Sequence, residues 1–132
     1  MQATNANDVT YSNLINWLVR VNQTDLPPKN IVAFNFGLFE NPKGCYTTYL
    51  IGSRNFDPEN DDRACNDDYT PTEKYLELSE HRSAEKDWPE VLRDMVDLLR
   101  RYTQSPEFPE SFLANATAIT VGFDDGDLER VK

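Results

Sequence analysis

The sequence predicts an α+β fold: one two-layer domain in which an antiparallel sheet carries its helices on one face. Three observations predict it. Two segments repeat apolar residues at helical spacing, two β-rich runs bracket a turn of hairpin length, and a third β-rich run lies near the C-terminal end. At 132 residues the chain suits one domain, and a domain of this size buries roughly two-thirds of the surface that its unfolded form exposes. No internal repeat, low-complexity tract or second domain is visible.

Taken in order, residues 1–7 are polar and carry no period, so fraying is expected. Asp8 or Thr10 can then cap a helix whose apolar positions Tyr11, Leu14, Ile15, Leu18 and Val21 share one face, with Trp17 at its flank. It must stop before Pro27 and Pro28. From Ile31 to Phe39 both alternating faces are apolar, which is the pattern of a covered central strand needing extra cover from a loop or terminus. The residues Glu40, Asn41, Pro42, Lys43 and Gly44 form a turn, and Cys45 to Ile51 return as the second strand of a hairpin.

Farther on, Tyr75 to Leu78 favours a short strand, and the charged run from Glu80 to Lys86 contains the only histidine, His81. Asp87, Trp88, Pro89 and Glu90 then give an N-cap, a proline in the first turn and an acid at the third position. The helix that follows places Trp88, Val91, Leu92, Met95, Leu98, Leu99 and Tyr102 on one stripe, with Arg100 and Arg101 at the negative end of its dipole. Glu110 to Asn115 suits a helical turn. Thr117 to Phe123 reads as the third main strand, Asp124 to Asp127 as a turn, and Leu128 to Val131 as a short edge strand.

The chain is organised around the stretch between Gly52 and Leu78. It concentrates Asp57, Glu59, Asp61, Asp62, Asp67, Asp68, Glu73 and Glu77, opposed only by Arg54, Arg63 and Lys74. A helix would set like charges side by side, and a strand would put Asp and Pro where β-branched residues belong. A long surface loop is the expectation. Loops of more than about a dozen residues in a compact domain are usually functional or disordered, and Phe56, Cys65 and Tyr69 supply apolar anchors that a solvated tail lacks.

Charge narrows the function. With 13 basic against 23 acidic residues the formal net charge is -10, and the pI is near 4.4. Nucleic acid and anionic membrane surfaces are therefore excluded as partners, and encounter with a basic protein is accelerated. The opening residues MQATNAND contain neither the basic nor the apolar region of a signal peptide, so a cytoplasmic setting with reduced Cys45 and Cys65 is expected. No run approaches the roughly 20 apolar residues of a membrane span.

The acidic stretch admits a calcium reading, since Asp57, Glu59 and Asp61 stand at the first, third and fifth positions of a candidate loop. The rest fails. Asp62 occupies the place of the turn glycine and Asp68 that of the bidentate Glu. Cys45, Cys65 and His81 lack the spacing of a zinc site. Cys65 lies in a field of carboxylates that disfavours its thiolate, and Cys45 on a strand suits a small core residue. Catalytic carboxylates are usually few and set in an apolar cleft, whereas these are crowded on a loop. No nucleotide-binding, hydrolase or metalloprotease motif occurs. The expectation is a binding protein, not an enzyme, with no cofactor and no metal. Two rivals are a DNA mimic that blocks a nucleic-acid-binding enzyme and a metal-dependent domain that uses the acidic loop.

With YLIGSRNFDPENDDRACNDDYTPTEKYLEL at its centre and ITVGFDDGDL near its end, the chain resembles the small acidic immunity proteins encoded beside bacterial toxins in contact-dependent and polymorphic toxin systems. The resemblance covers residues 31–78 and 119–128. It implies a cytosolic inhibitor that binds one toxin domain and protects its producer. On this reading Phe56, Asp57, Glu59, Asp61, Asp62, Asp67, Asp68 and Tyr69 meet the partner. The acids face its Lys and Arg, while Phe56 and Tyr69 either supply apolar contact or fix the loop to the domain.

Overall fold

The computed structural model describes residues 6–55, 68–123 and 128–132. Among these described residues two α-helices and a five-stranded sheet form the expected α+β domain. In chain order these are α1 (Ala6–Thr24), β1 (Ala33–Glu40), β2 (Cys45–Ser53), β3 (Tyr75–Arg82), α2 (Trp88–Thr103), β4 (Ala118–Phe123) and β5 (Glu129–Arg130). Two short 3-10 turns, Phe108–Glu110 and Phe112–Asn115, link α2 to β4.

The strands lie in the order β3-β2-β1-β4-β5. Every pair is antiparallel except β1 with β4, which run parallel with Phe36 beside Val121. The reason is the connection. The chain leaves β1 through the hairpin and β3, crosses back along α2 and re-enters the sheet beside β1 in the same direction, as parallel neighbours require. Gly44 closes the β1–β2 turn with a φ of 82°, a left-handed conformation that side chains with a Cβ resist. Asn41 completes the turn by accepting the amides of Lys43 and Cys45 on its side-chain oxygen.

One face of the sheet forms the core. Phe34, Phe36 and Leu38 of β1 point to it, beside Leu50 of β2, Leu78 of β3, and Ile119 and Val121 of β4. Leu14, Trp17, Leu18 and Val21 of α1 and Val91, Met95, Leu98 and Leu99 of α2 close over them. Trp17 is fully buried and meets Phe36 edge-on at 6.1 Å. It is a central core residue and not a flank. Its indole N–H donates to the carbonyl of Glu73 at 2.7 Å, which satisfies its one polar atom.

Helix boundaries separate the two sequence signals. α2 begins as expected, with the Asp87 carboxylate accepting the amide of Glu90 at 3.3 Å. Trp88, however, is exposed and rests against Phe123 outside the buried stripe. α1 is already helical at Ala6, so Asp8 and Thr10 lie within it and do not cap it. They act sideways: Asp8 pairs with Arg101 of α2 at 3.3 Å, and Thr10 is buried against β3. The turn expected at Asp124 to Asp127 lies outside the described residues, and β5 forms the short edge strand.

β3 runs to Arg82, farther than the Tyr75 to Leu78 expectation. Alternation from Leu76 and Leu78 would turn Glu80 inward. An irregularity in pairing between Cys45 and Tyr46 shifts the phase, as a bulge does, so that His81 enters the core instead.

Candidate functional site

The acidic stretch is shorter than its composition suggests, because both of its ends belong to the sheet. β2 continues through Ser53, and Tyr69 pairs with Gly52 through two backbone hydrogen bonds of 2.9 and 3.0 Å. Asp68 accepts the backbone amide of Arg54 at 2.9 Å and meets its guanidinium at 3.4 Å. That backbone amide, followed by the Arg54 charge, holds the Asp68 carboxyl below the usual range. The carboxylate is committed within the chain and fastens the loop root.

Tyr69 is also an anchor. Its ring is buried, meets Phe34 edge-on at 6.3 Å, and its hydroxyl donates to the carbonyl of Asp25 at 2.6 Å. Burial, then the Asp25 charge, push its phenol up, so it remains a donor. Of the two roles open to this side chain, the geometry assigns fixing the loop and not surface contact. Glu73 is likewise committed: Arg20 of α1 grips it at 2.6 and 2.9 Å, and this hydrogen bonding lowers its pKa. Phe56, Asp57, Glu59, Asp61, Asp62 and Asp67 lie outside the described residues, as does Cys65. Cys45 is a buried free thiol, the core residue its strand position suggested.

The sheet face opposite the helices carries a second feature. Phe39, Tyr49 and Tyr75 stand on neighbouring strands and touch one another with centroids 6.1 to 6.4 Å apart. Tyr49 lies flat on Gly37, where an added Cβ would fall 1.9 Å from the ring. The glycine lets this ring cover the outer side of β1. Lys74 places its ammonium 5.3 Å from the centroids of both tyrosines. Beside them an open hollow of about 480 Å³ lies between the hairpin turn and β3, lined by Phe39, Asn41, Pro42, Lys43, Thr47, Tyr75 and Glu77. Glu77 is 3.7 Å from Lys43, whose side chain is 77% exposed.

Sequence reasoning missed this face. The signal was available in the period-two alternation of β3, which sends Leu76 and Leu78 inward and therefore Tyr75 and Glu77 outward. Tyr75 is 53% exposed.

The third constellation is internal. His81 is fully buried, with Nε2 3.0 Å from the Thr10 hydroxyl and Nδ1 3.4 Å from the Lys86 ammonium. An ammonium only donates, so Nδ1 accepts and Nε2 carries the proton towards Thr10. Lys86 in turn pairs with Asp94 at 2.7 Å, and Tyr46 donates to the carbonyl of Lys86 at 2.9 Å. Burial, then Lys86, lower the His81 pKa, against the opposing pull of Asp94 and Glu80. The imidazole is neutral and ties α1, β3 and α2 together.

Among the described residues no three His, Cys, Asp or Glu side chains converge to hold a metal ion, and no helix is long and apolar enough to cross a membrane. The chain matches no family model, no curated protein sequence and no solved structure.

Proposed function

We propose that this chain is an immunity protein that binds and neutralises a basic bacterial toxin domain in the cytoplasm, with the acidic segment between β2 and β3 as its main contact. The observation that supports this most is the fastening on either side of residues 56–67: the Gly52–Tyr69 pairing, the Arg54–Asp68 contacts and the Tyr69–Asp25 hydrogen bond. The chain thus enters and leaves residues 56–67, which carry Asp57, Glu59, Asp61, Asp62 and Asp67, at fixed points. Preorganised ends reduce the entropy lost when a loop is ordered against a partner.

The net charge of -10 serves the same end. It speeds diffusional encounter with a basic surface and disfavours acidic ones. Asp68 and Glu73 neutralise cations of their own chain, so neither is counted among the acids that meet the partner.

The test is complex formation with the basic toxin domain encoded beside this protein's gene. Calorimetry should give one-to-one binding at nanomolar affinity, and co-expression should restore growth to cells that make the toxin. Absence of binding at micromolar concentration, or growth arrest despite co-expression, contradicts the proposal.

A further inference from the structure

The hollow on the open sheet face has the chemistry of a receptor for one particular side chain. Its walls are aromatic, from Phe39 and Tyr75. Its polar lining is Asn41, Lys43, Thr47, Tyr75 and Glu77. Asn41 gives its amide to Thr47 at 2.9 Å and accepts two backbone amides. Glu77 meets only the Lys43 ammonium among the described charged groups, at 3.7 Å, which is beyond hydrogen-bond reach and bathed in solvent. The hollow therefore offers ring faces and edges together with a carboxylate that has room for a better donor.

We propose that this hollow receives an arginine side chain of the basic partner, a reading that rests on the function proposed above. A guanidinium is planar, so it can lie against Phe39 or Tyr75 while two of its N–H groups reach the Glu77 carboxylate. Lysine fits less well, because its ammonium is a strongly hydrated point charge that cannot do both. The chain itself carries a precedent on the same face, where Lys74 holds a cation over Tyr49 and Tyr75. Complementarity of charge favours the same occupant, since a protein of net charge -10 meets basic surfaces. The seated pair would be screened by the rings from water, which strengthens it relative to an exposed pair. The arginine would be an anchor within a contact that the acidic segment steers.

The hollow can be tested without the toxin. Capped arginine (N-acetyl-arginine amide) titrated into the full chain should give saturable amide NMR shifts centred on Phe39, Thr47, Tyr75 and Glu77, with capped lysine binding more weakly. Glu77→Gln and Tyr75→Ala should each weaken the arginine response by about ten-fold, as expected for loss of a charge-assisted contact. Shifts that do not saturate, or that neither variant alters, overturn the proposal. With the toxin domain, Glu77→Gln should raise the dissociation rate by about ten-fold. An unchanged rate overturns arginine docking while leaving the acidic-segment reading intact. Failure of the unaltered chain to bind the toxin instead overturns the immunity reading, and the capped-arginine titration still decides whether the hollow recognises a guanidinium.

Discussion

The Tyr69 hydroxyl donates a 2.6 Å hydrogen bond to the carbonyl of Asp25, joining the returning end of the acidic segment to the exit of α1. Nearby, the Asp25 carboxylate accepts the amide of Thr72. Together these bonds make the segment's base part of the folded domain.

Removing that anchor should cost stability before it costs recognition. Tyr69→Phe should lose about 0.5–1.5 kcal/mol with the hydrogen bond, and Tyr69→Ala about 3–5 kcal/mol with the buried ring. Urea titration measures both. A Tyr69→Ala variant of unchanged stability whose dissociation from the partner is faster would instead place the ring at the interface.

Protonation of His81 should weaken the fold. Its folded pKa is lowered from an ordinary value of 6.5, so the unfolded chain binds more protons in the window below that value, and stability rises with pH there. Stability is therefore complete above about pH 6.5 and falls as the pH drops towards the lowered pKa. Melting temperatures between about pH 7.5 and about pH 5.5 should decline more steeply for the natural chain than for His81→Gln. Equal slopes would contradict the assignment of a neutral buried imidazole.

Most of the fold was legible because its elements carry local signals. The Asp87 cap and the apolar stripe of α2, the turn around Gly44 and the β-rich runs each declare themselves within a few residues. The parallel pairing of β1 and β4 was not legible, since it depends on where α2 returns the chain. The inward turn of His81 depends on a pairing irregularity opposite Cys45 and Tyr46, and simple alternation points to Glu80. At the candidate site, composition identified the acidic stretch but could not distinguish carboxylates that serve the chain's own arginines, Asp68 and Glu73, from those in residues 56–67. Tyr49 and Tyr75 belong to strands distant in sequence, and only the register brings them together.

Gly37 offers a test of the aromatic face. Gly37→Ala drives a methyl group into the ring of Tyr49 and should cost about 1–3 kcal/mol, the usual penalty for overpacking. The ring resonances of Tyr49, Phe39 and Tyr75 should shift together as the stack opens. A variant with natural stability and unmoved ring resonances would mean that Tyr49 does not cover this position.

The central claim is that the acids of residues 56–67 capture a basic partner, and surface plasmon resonance with the Asp61→Asn, Asp62→Asn double variant tests it most directly. Exposed charges act through a field screened over roughly 8–10 Å at physiological salt, so the variant should associate more slowly than the natural chain at low salt and show a flatter salt dependence. Its melting temperature should hardly change. Association kinetics identical to those of the natural chain at both low and physiological salt would contradict the account.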